Sequence, residues 1–223
     1  MQICRLDPKI RKINGWRAIK EIFGYKPDYS KTSLAEFKNT WITDNKQTII
    51  EFSASFNLPP EVLAGIAWTE AGGDPEFIDP IMHDARSLLN PIGLADKPPE
   101  LTSVGDVQIQ VRHVAKFLGL DADKLSHGDR VGLIKFVENE RNNLYIVARY
   151  ISHSLKQIYP NYTINDIGDN EIVMIEYMYN MGYPHPMIGP NKNLEEISQK
   201  GISRYGHDLL NKKAKMRSLL GLR

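Results

Sequence analysis

The sequence predicts a mainly helical fold, all-α or nearly so. Apolar residues recur at intervals of three and four through most of the chain, the spacing of one face of an α-helix. Proline and glycine gather between these segments, where they mark loops and helix ends. No internal repeat and no convincing β-hairpin signal is found. A chain of 223 residues with 42% hydrophobic content suffices for one large domain or two small ones, and one core with an N-terminal extension is expected. We take residues 1–32 as the extension and 33–223 as the domain.

Near the N-terminus, Ile19, Ile22 and Phe23 hint at a short helix in an otherwise mixed stretch. Ser33 followed by Glu36 resembles a capping box, and Leu34, Phe37, Trp41, Ile49 and Phe52 supply an intermittent apolar face up to Phe56. This reads as one long helix or two. Residues 72–102, punctuated by Pro75, Pro80, Pro91, Pro98 and Pro99, hold no period for long, and a loop of that length inside a domain is usually functional. Val107, Val111, Val114 and Leu118 predict a helix stopped by Gly119. Residues 121–128 read as a turn with a short helical piece. A long helix is predicted over 129–159, with Leu144, Val147, Ala148, Ile151, Leu155 and Ile158 as its stripe. Glu138, Glu140, Arg141, Arg149 and Lys156 form its solvated face. Residues 170–181 are apolar on nearly every side, which predicts a buried helix ended by Gly182. One or two terminal helices with a basic end follow over 194–220.

The most informative segment is 58–75. Pro59 and Pro60 suit a helix start, Gly72 and Gly73 a stop, so a helix is predicted from about residue 59 to 71. Val62, Leu63, Ile66 and Ala67 make its apolar stripe, and Glu70 falls inside that stripe. A core-facing carboxylate at the negative end of a helix dipole is disfavoured in its ionised form by desolvation and by the field, and both effects raise its pKa. A protonated glutamate suits general-acid chemistry such as protonation of a glycosidic oxygen. Taken alone, the helix is equally consistent with a glutamate that caps a neighbour or pairs with an arginine.

The net charge of +1 and pI of 7.8 give no electrostatic footprint for nucleic acid. The single cysteine, Cys4, excludes an internal disulfide framework. The N-terminus lacks the apolar core of a secretory signal, and no apolar run reaches the length of a membrane span. We therefore expect a chain made as a soluble protein in the cytoplasm. Action in the periplasm or on the cell wall would then need delivery by another system.

Three pieces stand in a fixed order: LAGIAWTEAGGDP with Glu70, then Gly105, Gln108 and Ile109, then Tyr179, Asn180 and Gly182. In this order and spacing they resemble the lysozyme-like superfamily of lytic transglycosylases and goose-type lysozymes, over about residues 50–183. The resemblance implies a helical domain with a glycan-binding groove and cleavage of the β-1,4 bond between N-acetylmuramic acid and N-acetylglucosamine in peptidoglycan. It implies Glu70 as the acid, Gly105 and Gln108 in a groove-lining segment, and Tyr179 and Asn180 near the sugar or positioning the glutamate. Ala71 stands where many lytic transglycosylases have serine, and Met178 where a small residue is usual.

A retaining hydrolase needs a second carboxylate about 5 to 5.5 Å from the first, and an inverting one a wider gap of about 6.5 to 9.5 Å. A lytic transglycosylase, on the same resemblance, manages with one glutamate that closes an anhydro ring. Asp84, Asp96, Asp106 and Glu176 are the candidates for a second acid. Asp106 is the best placed, though it also suits the N-cap of the helix after it. Glu176 more simply forms a structural ion pair with an arginine such as Arg112 or Arg149. The six histidines show no metal-ligand spacing, so neither metal nor cofactor is expected. We expect a monomer acting on glycan strands as an antibacterial effector, for instance of type VI secretion, or as a phage lysin or a module of a larger protein, with a small inhibitor protein as partner in the effector case. A non-catalytic glycan-binding module and a helical interaction domain using the basic C-terminus are the alternatives.

Overall fold

The structure, a computed structural model, describes residues 34–71, 103–181 and 203–222. Among these residues it is mainly helical, with eight α-helices and one short two-stranded ladder. The chain divides into two compact units, one holding residues 38–71 and 144–223, the other residues 1–37 and 72–143.

Helices α1 (Leu34–Asp44), which enters the first of these units at residue 38, and α2 (Lys46–Phe56) are separate and joined at Asn45. Trp41, Ile42, Ile49 and Phe52 are buried as their spacing predicts, whereas Phe37 is exposed at 39%. The predicted capping serine, Ser33, lies outside the described residues, as do the isoleucines of the N-terminal stretch. Helix α2 ends on Asn57 in the left-handed conformation, φ 59°. Its side chain takes up the strain by donating to Tyr162 O (3.2 Å) and accepting from Ile164 N (3.3 Å). Helix α3 (Pro60–Glu70) follows, within a residue of its predicted bounds, with proline in its first turn where no N–H is missed.

The expected long helix over 129–159 is broken in two, α5 (His127–Val137) and α6 (Glu140–Ile158). The cause is local. Asn139 Oδ1 accepts Asn142 N (3.1 Å), and Asn142 Nδ2 donates to Phe136 O (3.0 Å), so two asparagines three positions apart terminate one helix and start the next. The stripe from Leu144 to Ile158 is buried throughout. Helix α7 (Asp169–Met181) is buried on most sides, as its composition requires, and α8 (Ser203–Leu220) packs against both α7 and α3. Gly65 permits that approach, because a Cβ there would run into Leu209 Cδ1 of α8. The buried Glu61, at the start of α3, accepts from Arg217 Nη1 at 3.1 Å.

In the second unit, the predicted helix begins at Val111 and not near Val107: α4 spans Val111–Phe117. Ahead of it, β1 (Ser103–Val104) pairs antiparallel with β2 (Ile109–Gln110), a ladder too short to leave an alternating pattern in the sequence. Gly119 ends α4 with φ +79°, as expected of a C-terminal glycine. The short helical piece expected in 121–128 is a 3₁₀ turn, Ala122–Lys124. Among the described residues no helix is long and apolar enough to cross a membrane.

Candidate active site

Helix α3 is apolar over most of its length and buried around its whole circumference from Glu61 to Ala67, a wider burial than the single stripe read from the sequence. Beyond this buried stretch, Pro60 at one end and the last turn, Trp68 to Glu70, at the other open partly to solvent. The first turn holds a buried carboxylate compensated by Arg217. The last turn holds Glu70, half-buried, whose pKa is raised by burial and drawn back down by Lys38. The direction matches the sequence expectation.

Lys38 bears on three successive residues at this helix end. Its Nζ donates to Thr69 O at 2.8 Å, stands 5.0 Å from the centroid of the Trp68 ring, and sits in the field of Glu70. A cation capping the final carbonyls of a helix also meets the negative end of its dipole. Only 7% of Lys38 is exposed, and its own pKa is lowered first by burial and then by Lys212, with Glu70 opposing. Trp68 is fixed as well, its Nε1 donating to Asn39 Oδ1 at 2.9 Å. Adjacent residues of α1 thus clamp the end of α3.

Helix α7 contributes Glu176 and Tyr179. Glu176 is 1% exposed and its pKa is pushed up to about 8. Burial is the first cause; Lys212 opposes it, Asp208 and Glu70 add to it, and the Leu209 backbone opposes. The two carboxyls are coupled: a charge on Glu70 makes the loss of a proton from Glu176 harder. Tyr179 is held well above the ordinary phenol range by burial, then by Glu70 and Tyr150. Its ring meets Tyr150 edge-on at 5.8 Å and 74°, and Tyr150 Oη donates to Met178 O at 3.3 Å. At neutral pH the group is therefore one ionisable glutamate, one carboxyl that keeps its proton, a neutral phenol and two lysines.

Of the residues singled out from the sequence, Glu70, Glu176 and Tyr179 share this unit and act on one another. The backbone of Asn180 continues α7, while its side chain lies outside the described residues, as do Asp84 and Asp96. Gly105, Asp106 and Gln108 belong to the other unit, in the four-residue turn between β1 and β2. Gly105 has φ +83°, and a Cβ there would run into the Asn143 side chain, so glycine is required by the turn itself. The buried Asn143 grips the same turn, accepting from Val107 N (2.7 Å) and donating to Val107 O (3.1 Å). Asp106 is exposed and does not cap the following helix, whose N-cap is Gln110. The cation that draws Glu176 down is Lys212, where an arginine was expected.

Lys38 and Lys212 were missed. Lys38 had a signal, since it shares helical register with the buried Trp41, Ile42 and Asn45, and a lysine in a core register calls for a partner. Lys212 sits in a basic run that reads as solvated surface. Comparison of the chain with protein-family models, with curated proteins and with solved structures gave no match.

Proposed function

We propose that the protein is a glycosidase of lysozyme-like fold that cleaves the β-1,4 bond between N-acetylmuramic acid and N-acetylglucosamine in peptidoglycan, with Glu70 as general acid and base. The observation that carries this reading is the electrostatic meeting of Glu70 with Tyr179. Tyr179 of the third sequence motif thereby acts on the glutamate of the first, at a helix end where burial favours the protonated acid.

In the first step Glu70 gives its proton to the glycosidic oxygen as the bond to the anomeric carbon breaks. The resulting carboxylate then takes the proton of the attacking hydroxyl. Glu176, protonated near neutral pH, is a poor nucleophile for a retaining double displacement. That favours the one-glutamate route, in which the muramic 6-hydroxyl attacks the anomeric carbon, its proton passes to Glu70, and an anhydro sugar forms. Action outside the cytoplasm after delivery by another system belongs to the same proposal. So does, for a secreted effector, a small inhibitor that plugs the groove.

Replacing Glu70 with Gln keeps the shape and removes the acid. Digestion of purified sacculi should fall by at least about 100-fold, in line with the usual contribution of a general acid, while the far-UV spectrum stays unchanged. Mass spectrometry of the parent digest should show anhydro-muramic ends. A Glu70→Gln protein that digests at the parent rate defeats the proposal.

A further inference from the structure

The unit that holds Glu70 also contains a cavity of about 400 Å³, set between the end of α6 and the start of α7. That volume lies within the range of about 300–1,000 Å³ usual for small-ligand sites. Leu155 and Ile158 of α6 and Ile167 of the connecting loop give it apolar walls, and Tyr159, Tyr162, Asp166 and Glu171 add polar atoms. The loop that frames it is held on both sides. Tyr162 Oη donates to Phe56 O at 3.2 Å and lies 3.0 Å from Ser152 Oγ, while the Asn57 side chain is hydrogen-bonded to both Tyr162 O and Ile164 N. The walls are therefore set before any ligand arrives. No residue lining the cavity belongs to the group around Glu70, and Glu171 stands eight residues before Tyr179 on α7, about 12 Å along the axis.

The sequence makes this corner acidic. No lysine, arginine or histidine falls between Lys156 and His185, whereas Asp166, Asp169, Glu171 and Glu176 do. Asp169 pairs with Lys213 Nζ at 3.3 Å, and Glu176 belongs to the group around Glu70. The other two line the cavity, and each commits one oxygen to the chain. Asp166 Oδ2 accepts from Thr163 N (2.6 Å) and Thr163 Oγ1 (2.9 Å), and Glu171 Oε2 accepts from Gly168 N (2.9 Å). Among the described residues neither makes an ion pair, so Asp166 Oδ1 and Glu171 Oε1 keep their lone pairs. The field of Glu171 reaches Tyr159, whose pKa is raised by burial and then by that glutamate, and whose hydroxyl makes no hydrogen bond among the described residues. Apolar walls with two charged acceptors and no cation among the lining residues suit a ligand with an apolar body and a positively charged N–H donor. The surroundings of Glu70 do not, since three lysine ammonium groups, of Lys215, Lys212 and Lys38, stand 4.5, 4.7 and 5.0 Å from the centroid of the Trp68 ring.

We propose that this cavity binds a small organic amine, its ammonium group held by Asp166 and Glu171 and its apolar body against Leu155, Ile158 and Ile167. Charge-assisted hydrogen bonds to Oδ1 and Oε1 fix the cationic end, and the neutral phenol of Tyr159 accepts a further N–H. This is a second site, independent of the reading of Glu70 as a catalytic acid.

The test is a calorimetric titration of the parent protein with phenethylamine and with phenethyl alcohol, which share an apolar body and differ in the charged group. The amine should bind roughly tenfold or more tightly, as expected for charge-assisted hydrogen bonds. In NMR spectra it should shift the Tyr159 ring signals and leave the Trp68 indole N–H in place. The D166N/E171Q double variant, which keeps an oxygen acceptor at each position, should lose the preference while retaining its helical spectrum. Equal affinity for the two compounds, no binding of the amine, a shift at Trp68 without one at Tyr159, or a preference that survives in the double variant overturns the proposal. Should the double variant fail to fold, the parent titration and spectra decide alone. If a blocked lysine, N-acetyl-lysine methylamide, binds more tightly than phenethylamine, the occupant is a protein side chain and the small-amine assignment fails. No glycan is cut in these measurements, so their outcome is separate from that of the Glu70→Gln digestion.

Discussion

Replacing Glu176 with Gln should stabilise the protein, and only above acidic pH. Unfolded, the carboxyl titrates near its ordinary 4.5; folded, with 1% of its surface exposed, it holds its proton to about 8. Between those values the folded state binds more proton than the unfolded state, so stability falls as pH rises. The slope is about 1.4 kcal/mol per pH unit, which accumulates to roughly 3 kcal/mol at pH 7 and about 5 kcal/mol once the pH passes the folded value. Below about pH 4.5 both states are protonated and the contribution vanishes. Glutamine resembles the neutral acid in shape and never ionises, so the variant escapes the loss. Against a total stability of about 5–15 kcal/mol, the difference is large. Urea unfolding of parent and variant at fixed ionic strength from pH 4.5 to 9 reads it directly, because other titrating groups cancel in the difference. Curves that run parallel across this range would refute the assignment of a buried, proton-retaining carboxyl to Glu176.

Two further outcomes follow from the same contacts. Lys38→Met removes the cation that pulls the Glu70 pKa down, so the high-pH limb of kcat/KM on peptidoglycan, where the general acid loses its proton, should move to higher pH; a limb that stays fixed or moves down contradicts the pairing. Gly65→Val inserts a branched side chain where Leu209 Cδ1 already sits and should destabilise by roughly 1–3 kcal/mol, read as a lower unfolding midpoint with an unchanged m-value.

Local chemistry was legible in the sequence. Helix α3 and its proline start depend on residues within a few turns of one another, and the apolar patterns of α3 and α7 mark the faces that more distant elements cover. The break between α5 and α6 was missed because the apolar spacing runs through it, while two asparagines decide the hydrogen bonding. The β1–β2 ladder escaped because two-residue strands have no period to detect. The partners of Glu70 were harder still. Lys38, which acts on Glu70, lies 32 positions before it, and Lys212, which acts on Glu176 and Lys38, lies far beyond on α8. Glu176 was read as one half of a structural ion pair, because sequence reveals burial better than it reveals which charges share the buried space.

The packing of α8 on α3 and α7 also bears on the order in which this unit is put together. The unit that holds Glu70 is assembled from two stretches with some seventy residues between them, residues 38–71 and 144–223. Contacts across such a gap form late, because the entropy of closing the intervening chain must be met first. Until α8 docks, Glu176 lacks Lys212 and Asp208, Glu61 lacks Arg217, and Trp68 carries one ammonium group in place of three. A ribosome-bound chain, or one cut before α8, would hold Lys38 beside Glu70 but lack the charges that face Glu176. The charged group around Glu176 is therefore completed only when the final helix docks.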